Sequence, residues 1–307
     1  MTDANRRLAA SPAQPLAGAA QSSDHHARLA VAALLVAALA VGCSPIFVRL
    51  SEIGPTTTAF YRTALGTPIL ALWAVGERAR PPAGRDLALL CLAGFCFAGD
   101  LACWHWSIKL TTVANASLLA NLAPILVTLG AACLFGERIT GGFLAALAGA
   151  IVGSAVLASD RLSLGEGLAG DVLALVTATF YASYFLVLSR VRARVGAAQA
   201  MAINAAACSL FLLPPALLSG ESFLPATQYG WVVLFGLALV SQVAGQTLIG
   251  WSLRHLPASY SAVSLLLQPV VAAVLAWAVL AEALTWHQVL GGLVILASIA
   301  LARRASR

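Results

Sequence analysis

Apolar positions in this chain come in long runs and not in alternation. Ten such runs follow one another at about 28–49, 55–75, 86–108, 112–135, 141–159, 168–189, 196–218, 229–253, 258–281 and 285–302, parted by short stretches of charge, Gly and Pro. About 20 apolar residues let a helix cross the hydrocarbon of a bilayer. Backbone groups cannot go unpaired in lipid, and runs of this length are too long for barrel strands. The pattern therefore predicts an all-α integral membrane protein of ten transmembrane helices. Residues 1–27, rich in Ala, Ser, Pro and Gln, read as a disordered arm, and 303–307 as a short tail.

The chain also resembles itself. A shift of 145 residues carries Trp106 onto Trp251, Ser107 onto Ser252, Pro124 onto Pro269, Glu137 onto Glu282 and Thr140 onto Thr285. Equivalent positions lie five spans apart, and five is odd, so the second copy enters the membrane upside down. The domains expected are a five-helix repeat over 28–159 and a 5+5 inverted-topology partner over 160–302. Secondary transporters use this architecture, placing a site near the midplane where the halves meet and can rock.

Charge sets the orientation. Of 307 residues 60% are hydrophobic and 10% charged, against about 25% charged in soluble domains. One alternating set of loops holds fourteen Arg, including Arg78, Arg80, Arg85, Arg138, Arg190, Arg192, Arg194 and Arg254, and the other only Arg49, Lys109 and Arg161. Positive-inside bias then places both termini in the cytoplasm. The net charge of +6 does not indicate nucleic acid, because the basic residues interrupt spans and form no face with stacking aromatics. The six cysteines lie inside apolar runs with no histidine at ligand spacing, so no disulfide framework and no metal site is expected. Ala40 stands where a lipoprotein signal ending at Cys43 would need leucine, which speaks against cleavage there.

Two segments, "NLAPILVTLGAACLFGERIT" at 121–140 and "LLQPVVAAVLAWAVLAEALT" at 266–285, close the fourth and ninth spans on an acid, and "FYR" at Phe60–Arg62 marks the second. With ten spans and the repeat, they make the chain resemble EamA-type exporters of the drug/metabolite transporter superfamily over about residues 28–302. The second copy departs in having no arginine after Glu282. The resemblance implies a bacterial inner-membrane exporter of a small molecule, the amino-acid branch being favoured and a multidrug or organic-cation exporter the rival. It implies no cofactor and no enzymatic activity; an intramembrane enzyme would need HExxH, GxSxG or paired catalytic acids, which do not occur. The partners expected are the small-molecule substrate and the lipid bilayer. A proton as coupling ion, and monomer or weak homodimer, stay open.

Polar residues inside the spans are the candidate site. Asp100 is the one acid well within a span, at an expense of about 2.5–3.5 kcal/mol on insertion scales, and Arg62 lies at matching depth on the second span. Either they form a structural pair, or Arg62 reads a substrate carboxylate while Asp100 holds an amino group or a proton. Their counterparts in the repeat are approximately Asn204 and Gln246. Ser117, Asn121, Pro124 and Thr128 share one face of the fourth span, as Ser261, Ser264 and Gln268 do beside Pro269 in the ninth. Pro124 and Pro269 are expected kinks. Phe97, Asp100, Trp104 and Ser107 share a face of the third span, Thr177, Tyr181 and Tyr184 one of the sixth, and Gln242 and Gln246 one of the eighth. Together these predict a cavity bounded by the first, third, fourth, sixth, eighth and ninth spans. The fifth and tenth, with Gly142, Gly149, Gly153, Gly291 and Gly292 and few polar residues, read as scaffold outside it. Glu137–Arg138 reads as a membrane-exit signal with a possible ion pair.

Overall fold

The computed structural model describes residues 15–77, 81–82, 84–111, 113–161, 167–281 and 283–306. These are helical throughout, with no strand among the described residues. The first span joins Pro15–Gly42 to Ser44–Leu50 and the second is Pro55–Gly76. The third is Arg85–Leu110, the fourth joins Val113–Ala120 to Ala123–Phe135, and the fifth is Gly141–Ala158. Leu168–Val191 and Ala197–Leu218 are the sixth and seventh. The eighth runs from Gln228 to Ser252 with a π-helical middle, Leu237–Gln246. The ninth joins Ala258–Ser264 to Leu267–Leu280, and the tenth is Trp286–Ala305. Among the described residues nine helices are long and apolar enough to cross a membrane. The second span has the length, 22 residues, but Thr56, Thr57, Thr58, Arg62, Thr63 and Thr67 lower its hydropathy.

The helix breaks follow from covalent structure. Proline removes a backbone donor and its ring crowds the preceding turn. The fourth span opens at Asn121–Leu122 just before Pro124, and the ninth at Leu265–Leu266 just before Pro269. Ser44-Pro45 breaks the first span in the same way at Cys43. One boundary differs from expectation: the first helix already begins at Pro15, so the predicted arm is helical over residues 15–27. Proline at a first helical position is pre-shaped for the turn, and the alanines behind it are strong helix formers.

Packing between spans is reciprocal. The second lies along the seventh and the fifth along the tenth, while the third packs on the sixth and the eighth on the first. The Ser107 hydroxyl donates to the Gly170 carbonyl at 2.8 Å, and that of Ser252, its copy, to the Ala30 carbonyl at 3.0 Å. Glu77 accepts from the backbone N–H groups of Ala198 and Gln199 at 3.0 and 3.3 Å. Glu221 accepts from Thr57 N–H and the Thr56 hydroxyl, both at 2.9 Å. Thr140 and Thr285 cap the fifth and tenth helices in the same way. Between those two helices the seam is bare backbone: a Cβ on Gly153 would stand 2.9 Å from the Gly291 carbonyl oxygen. Large apolar side chains such as Leu72, Val75, Leu218 and Leu293 face outward, as a lipid-facing surface requires.

Candidate functional site

A cavity of about 440 Å3 occupies the half of the bundle toward the end bearing Glu52. It is lined by the halves of the first, third, fourth and ninth spans toward that end, with contributions from the second, sixth and eighth. Arg62, Asp100, Trp104, Ser117, Asn121, Pro124, Thr177, Tyr181, Gln246, Gln268 and Pro269, expected at the site from sequence, all line it. The fifth and tenth spans, expected outside, reach the mouth through Ser154, Leu157, Ala158 and Gln288. They pack chiefly on each other, and near the mouth their flank is left uncovered.

Three expected site residues stand elsewhere. Tyr184 is buried one turn below Tyr181, under the cavity floor, where its hydroxyl donates to Gln246 Oε1 at 3.0 Å. Ser264 is buried with its hydroxyl turned back on the Tyr260 carbonyl at 2.9 Å, the local bond a serine makes when no other acceptor faces it. Gln242 is buried against the second span, where a Cβ on Gly66 would come within 3.0 Å of its Cγ. It stands four residues before Gln246 on the eighth span, where the second span covers it and leaves no open space.

The charged pair forms the deep polar part of the cavity. Arg62 and Asp100 are both buried, at 7% and 8% exposure, and each lies within the other's electrostatic reach. Among the described residues, however, no hydrogen bond or ion pair joins them. Arg62 donates instead to the Ser44 hydroxyl at 3.1 Å, and its guanidinium sits 5.7 Å from the centre of the Phe97 ring. Its Nε has no partner. A guanidinium and a carboxyl group thus stand beside one open space without direct contact, and buried ionisable groups of this kind call for a counterpart. Phe97 stacks on Tyr184 at 4.8 Å, and Tyr181 and Trp104 add ring surface. The site can therefore take a small molecule carrying both charges and an apolar body.

The opposite end is closed. Glu137 accepts from Ala258 N–H at 2.7 Å, from Ser259 N–H at 3.2 Å and from the Ser259 hydroxyl at 2.5 Å. Glu137, just past the end of the fourth span at Phe135, thus clasps the start of the ninth as well. Arg192 donates to the Leu256 carbonyl at 2.9 Å, and Arg194 pairs with Asp86 at 2.7 Å. Its repeat copy, Glu282, lies outside the described residues, as do Arg78 and Arg80. Sequence reasoning did not single out Ser44, Glu52, Glu77 or Glu221. The Ser44-Pro45 interruption of an apolar run was a usable signal for the first, and acids at span ends for the others.

A sequence model of the EamA-like transporter family matches residues 28–159 and, a second time, 168–304. The chain belongs to the EamA-like transporter family. This EamA-family protein is accordingly a multi-pass membrane transporter. An "Uncharacterized transporter" of Archaeoglobus fulgidus is 26% identical over 277 residues, spanning 90% of this chain and 97% of that one. The "Pseudopaline exporter CntI" of Pseudomonas aeruginosa is 27% identical over 246 residues, 80% of this chain and 84% of its own. The "Probable terminal-alkyne amino-acid exporter" of Streptantibioticus cattleyicolor is 28% identical over 265 residues, 84% and 87% of the two chains. A solved crystal structure superposes with a TM-score of 0.77 at 18% identity, covering 90% of this EamA-family chain and 98% of the other, a likeness of fold.

Proposed function

We propose that this transporter exports small zwitterionic, amphipathic metabolites, foremost amino acids with aromatic or hydrophobic side chains, by alternating access across a bacterial inner membrane. The observation that carries the reading is the pair Arg62 and Asp100, buried on one cavity wall, unbridged by direct contact, among Phe97, Trp104 and Tyr181. A guanidinium matches a carboxylate in shape and charge, and Asp100 supplies the complement for an ammonium or holds a coupling proton. Asn121 and Gln268 on the kinked spans add neutral hydrogen-bonding groups. Two relatives bear the names of exporters, and one of these names an amino acid as the cargo, which supports the same class.

The inverted 5+5 repeat is part of this proposal. Its support is the double match of one family model and the reciprocal bonds Ser107–Gly170 and Ser252–Ala30. With both termini in the cytoplasm, as the arginine bias suggests, the Glu52 end is extracytoplasmic and the cavity faces outward. An organic-cation exporter would need a deep acid with no cation beside it, and Arg62 opposes that. The test is counterflow in proteoliposomes with a panel of amino acids, sugars and organic cations. Exchange of amino acids is expected, and exchange of organic cations alone would refute the reading.

A further inference from the structure

We infer that the chain carries a second ligand-facing wall, sealed in this structure, made by the side-chain amides of Asn204 on the seventh span and Gln242 on the eighth. The wall serves the same small zwitterion when the transporter opens toward its Glu137 end, so the inference rests on the alternating-access reading above. The starting observation is burial without satisfaction. Both polar atoms of Asn204 and both of Gln242 are buried with no hydrogen-bond partner, and each residue is 0% exposed. Buried amides are bonded in nearly every folded protein, because a lost bond is not repaid by water. Small polar residues that glue membrane helices together form bonds across the interface; these two form none.

Their place in the fold supplies the reason. Gly54 precedes the second span as Gly196 precedes the seventh, and Glu221 and Glu77 clasp equivalent backbone positions at the two starts. In this register Arg62 corresponds to Asn204. The offset that relates Ser107 to Ser252 likewise carries Phe97 to Gln242. Arg62 and Phe97, which line the open cavity, thus have polar, neutral counterparts sealed from it, Asn204 toward the closed end and Gln242 near the middle of the eighth span. Gln242 lies against Gly66, one turn along the second span from Arg62. The Tyr184–Gln246 hydrogen bond closes the floor of the open cavity.

The chemistry differs on the two sides. A carboxamide offers one donor for a carboxylate and one acceptor for an ammonium with no charge of its own. The ligand is held by full charges toward the Glu52 end and by amides toward the Glu137 end. A neutral wall releases or admits a zwitterion without leaving an unpaired ion buried when it empties.

Asn204→Leu and Gln242→Met keep the volume and remove the orphaned groups. Each purified variant is expected to melt at or above the temperature of the unmodified protein, while L-phenylalanine counterflow falls about tenfold or more. A clear drop in melting temperature would show the amides to be structural, and counterflow equal to that of the unmodified protein would show them idle; either overturns the inference. A second arm reads opening without substrate. Gln242→Cys, in a chain whose six native cysteines are replaced by alanine, is labelled by an impermeant maleimide from the Glu137 side alone. Labelling from neither side, or from the Glu52 side, overturns the wall. One-sided labelling together with no amino-acid exchange by the unmodified protein sinks the substrate reading and leaves the wall standing.

Discussion

Replacing Glu137 by alanine removes three hydrogen bonds at once, two to backbone N–H groups and one to the Ser259 hydroxyl. Charge-assisted bonds contribute about 1.5–3 kcal/mol each when dry, and loss of a cap costs about 1 kcal/mol. The carboxylate is only part-buried and water replaces part of the clasp, so a net loss of about 2 kcal/mol is the working figure. The clasp ties the fourth span to the ninth at the closed end, while the same two spans line the cavity toward the other end. Its loss therefore falls on the state described here and not on the state open the opposite way. About 2 kcal/mol moves such an equilibrium about 30-fold. The assay is maleimide labelling of Ala273→Cys, a cavity-lining position, from the Glu52 side, in chains with and without Glu137→Ala. Labelling is expected to slow and the melt to fall by about 4 °C. Glu77→Ala, which unties the second span from the seventh, is the control: it lowers the melt and leaves the labelling rate alone. Unchanged labelling in Glu137→Ala, or an equal shift in Glu77→Ala, would refute the gate.

Neutralising Arg62 or Asp100 singly strands the other charge in the membrane and is expected to reduce folded protein, whereas Arg62→Gln/Asp100→Asn folds yet loses amino-acid counterflow; normal exchange by a stable double variant excludes a substrate role. Gly153→Val forces a side chain against the Gly291 carbonyl and is expected to destabilise by about 2–4 kcal/mol, read as a lowered melt. Ala281 ends the ninth span at φ 55°, where its counterpart in the fourth span is Gly136 at φ 67°; Ala281→Gly is expected to stabilise by about 1 kcal/mol, checked by the same melt. The carboxyl of Glu52 is held below its ordinary value of 4.5 by the Thr227 hydroxyl, the first of its causes. Because the folded-state value is the lower one, its contribution is complete above 4.5 and is lost as pH falls through the depressed value. Glu52→Gln should therefore melt lower at neutral pH and match the unmodified protein once the pH has fallen below the depressed value.

Span count and kinks were legible because lipid forbids most alternatives. Length and apolarity alone placed most helix ends to within a few residues, the start of the first at Pro15 excepted, and Pro124 and Pro269 marked the breaks. The cavity was legible as helix faces but not as depth. Thr177, Tyr181 and Tyr184 do share a face, yet Tyr184 lies below the floor, since periodicity fixes an angle around the axis and not where empty space ends along it. Gln242 shares a helix face with Gln246, yet the second span covers it at Gly66, a contact between distant segments that local spacing does not announce. The carboxylate clasps were illegible for another reason. Glu137 and Ala258 are 121 residues apart, and Glu52 and Thr227 are 175. Such pairs exist only once the halves are packed.

That interlocking bears on how the protein is made. Glu52, Glu77 and Glu137 on the first half all hold helix starts on the second, and Glu221 on the second holds a helix start on the first. At about 5–20 residues per second, the ribosome needs roughly 7–30 s to deliver residues 160–307 after the fifth span. Through that interval the first five helices sit in the bilayer with Glu52, Glu77 and Glu137 still lacking the helix starts they hold in the finished protein. Helices two and five also still lack the neighbours they lie along in the finished bundle. The newborn chain waits half-assembled, and the quality of the product depends on what shelters those surfaces until its sister arrives.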